Sequence, residues 1–171
     1  MTDVDLKKLI RTFPDFPEPG IEFRDISPLL ADGKALHYTV QKLAEFCQEA
    51  DLIVGPDARG FIFATPVASI LKKPFVMVRK AGKLPGPVFR KTYQLEYNKT
   101  TLEIQRDAIK AGQKVVIIDD LLATGGTTRA IVDLVEKHGG KVIGVVFVVE
   151  LIHLKGRQKY HGISTHSLIK Y

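Results

Sequence analysis

No stretch of the chain constrains its fold more than Val115-Val116-Ile117-Ile118-Asp119-Asp120-Leu121-Leu122-Ala123-Thr124-Gly125-Gly126-Thr127. Four β-branched residues in succession suit a strand buried on both faces of a parallel sheet, where alternation with polar residues is not needed. Two adjacent carboxylates should end that strand, a small glycine-bearing loop should follow, and residues 127–138 read as a helix. A strand, a tight loop and a helix N-terminus make an anion site, because free backbone N–H groups converge there and the helix dipole favours negative charge. Gly125 and Gly126 allow close approach and unusual φ, and Thr124, Thr127 and Thr128 offer hydroxyl donors. No lysine follows the glycines, so this is not a Walker loop. Nor is the spacing that of the dinucleotide G-x-G-x-x-G turn. Paired acids ahead of a phosphate loop would suit the vicinal hydroxyls of a ribose whose 5-phosphate sits in that loop.

With 171 residues, the length prior gives one domain, large enough to bury about two thirds of its unfolded surface. The net charge of +6 points to an anionic partner, either nucleic acid or a polyphosphate. Basic residues are dispersed except around the middle of the chain, which argues against an extended nucleic-acid face. Cys47 is the only cysteine, so no intrachain disulfide can form, and its place one turn after Leu43 suits a buried thiol. No Cys/His set has zinc spacing. Acids at Asp3 and Asp5 do not suit a signal peptide, and the longest apolar run, 142–149, is too short to span a bilayer. A cytoplasmic location, without membrane or nucleic-acid partners, is the expectation.

Thr2 or Asp3 can cap a short helix carrying Leu6, Leu9 and Ile10. Three prolines and a glycine then make 13–20 a stiff extended arm, followed by a short strand at 21–26. Asp32 and Gly33 are expected to precede a helix that runs through Glu49. Residues 52–55 read as strand, 61–71 as a helix interrupted by Pro66, and 75–78 as strand. The order strand, helix, strand recurs over 115–149. Two such units indicate an α/β fold with a central, mostly parallel sheet flanked by helices and joined by right-handed crossovers. Ligands of such sheets bind beyond the carboxyl ends of the strands, where the loops 57–59 and 119–127 both fall. Residues 79–93 hold Arg79, Lys80, Lys83, Arg90 and Lys91 among glycines and prolines, which suits either a solvated loop or a lid over a pyrophosphate. A strand at 102–105 and a docked C-terminal strand with Leu168 and Ile169 complete the reading.

The motif at 115–127 resembles the thirteen-residue signature of the type I phosphoribosyltransferases, and every position fits. Other stretches are similar to the adenine-specific branch of that family: Phe13-Pro14-Asp15-Phe16-Pro17, Asp57-Ala58-Arg59-Gly60-Phe61, Gly82-Lys83-Leu84-Pro85-Gly86-Pro87 and Leu95-Glu96-Tyr97. Val148-Val149-Glu150-Leu151 and Leu154-Lys155-Gly156-Arg157 match as well. Pro56, Ala58 and Asn98 depart from the commoner residues, and none removes a group with obvious chemistry. The resemblance implies the type I fold in one domain, 1–171, with residues 13–26 as a purine-covering hood and 79–97 as a flexible catalytic loop. It implies transfer of a phosphoribosyl group from 5-phosphoribosyl-1-pyrophosphate (PRPP) to adenine, giving AMP and pyrophosphate. Asp119 and Asp120 would hold the ribose hydroxyls, and Ala123, Thr124, Gly125, Gly126 and Thr127 the phosphate. Asp57, Ala58 and Arg59 would meet the pyrophosphate, with the Asp57–Ala58 peptide cis. Phe23 and Leu121 would sandwich the base, while backbone near Arg24 reads its edge. Lys83 would add charge on closure, Glu96 would take the adenine proton, and Mg²⁺ would be bound mainly through PRPP. A homodimer is implied too. A phosphoribosyltransferase for another purine, or a PRPP-sensing regulator, is the alternative.

Overall fold

The computed structural model describes residues 5–94 and 99–171, in two compact units, 1–42 and 43–171. The first unit opens with a 3-10 turn, Leu6–Leu9, whose expected caps lie outside the described residues. Strands β1 (Arg11–Phe13) and β2 (Phe23–Asp25) pair antiparallel. Arg11 grips Asp25 at 2.6 Å from the facing strand, and the Ser27 amide donates to Asp25 at 2.9 Å. The Ser27 hydroxyl and amide, with Arg11, hold the Asp25 carboxyl below the usual carboxylate range. Residues 14–22 do not extend as an arm. The Gly20 amide donates to the Asp15 carboxylate at 2.7 Å and the Phe16 amide to the Ile21 carbonyl at 3.1 Å, so the prolines punctuate a closed turn, with Phe16–Pro17 cis. Helices α1 (Ser27–Ala31) and α2 (Gly33–Glu45) follow. Helix α2 stops four residues short of the expected Glu49, because i→i−3 bonds from Phe46 and Cys47 tighten its end. The Lys73 ammonium then collects the carbonyls of Cys47, Gln48 and Ala50.

The second unit is built on one seven-stranded sheet, with strands β3 (Leu52–Pro56), β4 (Phe75–Lys80), β5 (Val88–Gln94), β6 (Lys99–Gln105), β7 (Lys114–Leu122), β8 (Lys141–Glu150) and β9 (Ser164–Lys170). Their spatial order is β5-β6-β4-β3-β7-β8-β9. The pairs from β4 through β9 by way of β3, β7 and β8 are parallel, and only β5 and β6 join antiparallel. Helix α3 (Arg59–Ile70) connects β3 to β4, and α4 (Gly126–Lys137) connects β7 to β8. Pro66 lies inside α3 without ending it. From the adjacent strands β3 and β7 the chain steps in opposite directions across the sheet. Right-handed crossovers then put the two helices on opposite faces. Leu52, Val54, Val115 and Ile117 share a buried cluster with Ile131, Leu134 and Val135 of α4, and α3 packs on β3 and β7.

Two further expectations need correction. The acids do not end β7, since pairing with β8 continues through Asp119↔Phe147, Leu121↔Val149 and Leu122↔Glu150. Of residues 79–93, read as a loop, Arg79 and Lys80 close β4 and Val88 onward belongs to strand β5, leaving 81–87 irregular, while residues 95–97 lie outside the described residues. The basic residues hid a period of two: Phe89, Lys91 and Tyr93 turn inward while Arg90, Thr92 and Gln94 face solvent. At the far edge, Arg157 donates to the buried Glu150 at 2.9 Å and to the Thr165 carbonyl, fastening β8 to β9.

Gly55→Ala should destabilise by about 1–3 kcal/mol in urea unfolding, because the new methyl would stand 2.8 Å from the Ala64 Cβ and 3.1 Å from the Phe75 ring. Arg157 and Ser167 hold the Glu150 carboxyl below its ordinary value of 4.5, so its stabilising contribution is present above that pH and is lost as pH falls through the folded value. Glu150→Gln should therefore be less stable than the parent at neutral pH and show a shallower acid dependence, read by urea titrations at neutral and acid pH.

Candidate functional site

The reversal of chain direction between β3 and β7 opens a crevice beyond the carboxyl ends of these two strands. The loop after β3 enters from one side. The Asp57 amide donates to the Val78 carbonyl at 2.9 Å, the Asp57–Ala58 peptide is cis as expected, and α3 begins at Arg59. Gly60 must lack a side chain there: a Cβ would stand 2.6 Å from the Pro56 ring and 3.1 Å from Asp119 Oδ1. This close approach sets the first turn of α3 against the end of β7.

Arg59 Nε lies 2.7 Å from Asp120 Oδ2, whose side chain is 7% exposed. Among the described residues that oxygen takes no aligned hydrogen bond, so the guanidinium charge compensates it. Asp119 Oδ1 accepts the Asp120 amide at 2.9 Å. Burial and the neighbouring Asp120 charge push the Asp119 carboxyl well above the usual carboxylate range. Arg79 reaches Asp57 at 3.2 Å and donates to the Lys83 carbonyl at 3.2 Å, fixing the turn on which Lys83 is exposed. Behind that turn the buried Glu103 accepts the Gly82 amide at 2.9 Å and Arg90 at 2.6 Å. Arg90 foremost holds Glu103 below its ordinary value.

On the other side of the crevice, Ala123, Thr124 and Gly125 turn the chain from β7 into α4. Gly125 is the N-cap, with φ of 75°, a left-handed conformation that glycine adopts without penalty. The Thr127 hydroxyl is hydrogen-bonded to that of Tyr93 at 2.9 Å. The loop leans on the 3-10 turn Gly156–Tyr160, where the Tyr160 hydroxyl donates to the Gly125 carbonyl at 2.9 Å.

The structure thus brings together Asp57, Arg59, Asp119 and Asp120 on one side and the loop 123–127 on the other. Arg59 meets Asp120, an encounter no local sequence pattern foretells. Leu121 is half-buried within β7. Phe23 and Arg24 belong to the first unit, where Phe23 packs edge-on to Phe16 at 5.2 Å and Arg24 meets Glu22 at 2.7 Å. Glu96 lies outside the described residues. Tyr93 and Tyr160 gave no sequence signal of a role at the loop, and Gly156 was visible only as part of the matching stretch Leu154-Lys155-Gly156-Arg157. Among the described residues no three carboxylate, histidine or cysteine groups cluster to hold a metal ion, and no helix is long and apolar enough to cross a membrane.

The phosphoribosyl transferase domain model matches residues 29–169. Similar proteins include an adenine phosphoribosyltransferase of Mycoplasmopsis pulmonis, 57% identical over 167 residues that cover 98% of each chain. Among solved structures, the adenine phosphoribosyltransferase of Thermoanaerobacter pseudethanolicus superposes with a TM-score of 0.94 at 49% identity over 98% of each chain. That of Trypanosoma brucei, in complex with AMP, pyrophosphate and ribose-5-phosphate, gives 0.89 at 25% identity, covering 99% of this chain and 81% of its own.

Arg59→Met should cost about 1–3 kcal/mol by leaving the buried Asp120 carboxylate without its cation. Adding Asp120→Asn should recover part of that loss. A double-mutant cycle in chemical denaturation measures the coupling.

Proposed function

The chain belongs to the phosphoribosyltransferase family, and we propose on that premise that it is the enzyme that transfers the 5-phosphoribosyl group of PRPP to adenine, giving AMP and pyrophosphate. The observation that carries this reading is the paired acids of β7 running directly into a left-handed glycine cap and a helix N-terminus. Full-length similarity to adenine-specific relatives supports the choice of base.

Each residue's part follows from its chemistry. The N–H groups of Gly125, Gly126 and Thr127, with the hydroxyls of Thr124 and Thr127, bind the 5-phosphate, and Ala123 leaves room for it. Asp119 and Asp120 accept the ribose hydroxyls as hydrogen bonds. Breaking the C1–O bond leaves oxocarbenium character on the ribose, which two neighbouring carboxylates stabilise. Asp57, Ala58 and Arg59 receive the pyrophosphate, and Lys83 adds charge as the 81–87 segment closes. Phe23 and Leu121 cover the two faces of adenine, backbone beside Arg24 reads its edge, and Glu96 accepts the imidazole proton. In this reading residues 13–26 are the hood and 79–97 the catalytic arm of a single functional domain.

Crowded carboxylates at Asp119 and Asp120 fit a site that meets a cation carried in by its substrate. Two protein ligands alone make no cage, so Mg²⁺ would be held chiefly by PRPP oxygens, with these acids beside it. When bound it neutralises the charge that develops on the departing pyrophosphate. A homodimer working in the cytoplasm completes the proposal. A reducing compartment suits the buried Cys47, whose thiol burial pushes up to about 12.

Steady-state assays with PRPP, Mg²⁺ and each purine base test the assignment. Adenine should exceed hypoxanthine in kcat/KM by about 10⁴, because a pocket built for the exocyclic amine leaves a buried acceptor facing the hypoxanthine oxygen. Comparable values for the two bases would replace adenine by a broader purine specificity. Asp119→Asn combined with Asp120→Asn should stay folded and lose PRPP affinity in calorimetric titration. Unchanged affinity would remove the ribose assignment.

A further inference from the structure

The turn Gly156–Tyr160 follows the loop-and-helix motif only after the whole of β8, yet it is built against it. A Cβ on Gly156 would collide with the Ala123 carbonyl oxygen and stand 2.9 Å from the Leu122 side chain, so backbone packs on backbone. Tyr160 is 2% exposed and sits in the core cluster with Phe147. From that fixed position its hydroxyl donates to the Gly125 carbonyl at 2.9 Å. Burial raises the phenol well above its ordinary value, so it remains a neutral donor at any working pH.

The Gly125 carbonyl also accepts the Arg129 amide at 3.0 Å, the first bond of α4. Two donors therefore fix the plane of the Gly125–Gly126 peptide. In a planar trans peptide the C=O and N–H point in opposite directions, so clamping the carbonyl toward the helix aims the Gly126 N–H outward. Without the clamp, two consecutive glycines would sample many orientations. The same turn carries a cation to the open face of Gly126. The Lys159 ammonium lies 3.9 Å from the point a Cβ on Gly126 would occupy, and Thr124 Oγ1 lies 4.0 Å from it. The Lys159 carbonyl takes a long contact of 3.5 Å from Arg129, which ties the turn to α4.

We propose that the turn Gly156–Tyr160 is a third wall of the phosphate site, in which Tyr160 is a positioning residue that aims the Gly126 N–H and Lys159 supplies a cation to the bound 5-phosphate. This deepens the function proposed above and rests on its assignment of 123–127 to the phosphate.

The test is calorimetric titration of the full chain with ribose 5-phosphate, alongside steady-state kinetics and thermal melts, for the parent, Tyr160→Phe, Tyr160→Leu and Lys159→Met. Tyr160→Phe keeps the ring and removes the donor. It should weaken ribose 5-phosphate binding about fivefold, the worth of one hydrogen bond, with the melting temperature nearly kept. KM for PRPP should rise by the same factor while KM for adenine does not follow. Tyr160→Leu should also lower the melting temperature, separating packing from positioning. Lys159→Met should weaken binding about fivefold and flatten its dependence on salt. The proposal is overturned if either Tyr160→Phe or Lys159→Met binds ribose 5-phosphate like the parent. It is overturned equally if the Tyr160→Phe defect falls alike on adenine, PRPP and melting temperature. A parent that fails to bind ribose 5-phosphate overturns this proposal and the phosphate assignment together; a parent that binds it beside unaltered variants overturns this one alone.

Discussion

Parallel pairing of β3 with β7 is the constraint on which the rest of the second unit depends. Leu52, Ile53 and Val54 lie level with Val115, Val116 and Ile117, all buried, and the chain leaves these neighbours in opposite directions. One pairing therefore decides where α3 and α4 lie and where the crevice opens. It also explains the demand for small residues. Gly55 lets Ala64 of α3 approach β3, and Gly60 lets the same helix begin against Pro56 and Asp119. A loop carrying Arg59 can reach Asp120 only because the two strands share an edge at that height.

Charge is organised around the same crevice by pairs drawn from distant parts of the chain. Asp120 meets Arg59, Asp57 meets Arg79, Glu103 meets Arg90, and in each pair the carboxylate is the more buried partner. The arginines are partly exposed, so solvent screens their side of the contact and the pairs stabilise modestly. Removing one partner is different, because it strands a carboxylate in a poorly solvated place. Among the described residues Asp119 has no such cation against it, and burial with the neighbouring Asp120 charge pushes its carboxyl up. A site in that condition favours a ligand that brings hydroxyl donors or a cation.

Strand β5 links this crevice to helix α4 through three alternate residues. The Phe89 ring stacks on His138 at 3.3 Å, Lys91 meets Asp133 at 2.9 Å, and Tyr93 reaches Thr127 at 2.9 Å. The contacts run from the last turn of α4 to its first. Burial, with the charges of Lys137 and Arg106, lowers the affinity of His138 for a proton. Strand β5 is thus registered on the helix that begins at the Gly125–Gly126 turn. What links strand to loop is packing, an ion pair and hydrogen bonding between residues far apart in sequence.

The strand–acid–loop–helix order at 115–127 is local, and local order is what a sequence displays. Its apolar run, its adjacent acids and its paired glycines each limit the backbone within a few residues. The parallel α/β architecture follows from that order occurring twice, since right-handed crossovers leave few alternatives. The strand at 88–94 was illegible because its inward positions include Lys91, whose partner Asp133 lies on another element. The closed turn at 14–22 was illegible because the Asp15 carboxylate that closes it can be read equally as a solvent-facing charge. Asp119 and Asp120 were visible as a pair, but not their inequality: only the arrival of Arg59 from the end of β3 decides which acid is compensated and which is pushed toward protonation. The Tyr160 contact with Gly125 spans thirty-five residues and repeats no pattern. Sequence by itself determined the local conformations and their order, because these depend on neighbours along the chain. Tertiary structure decided the charge partners and the bracing of the loop, because these depend on which strand ends meet in space.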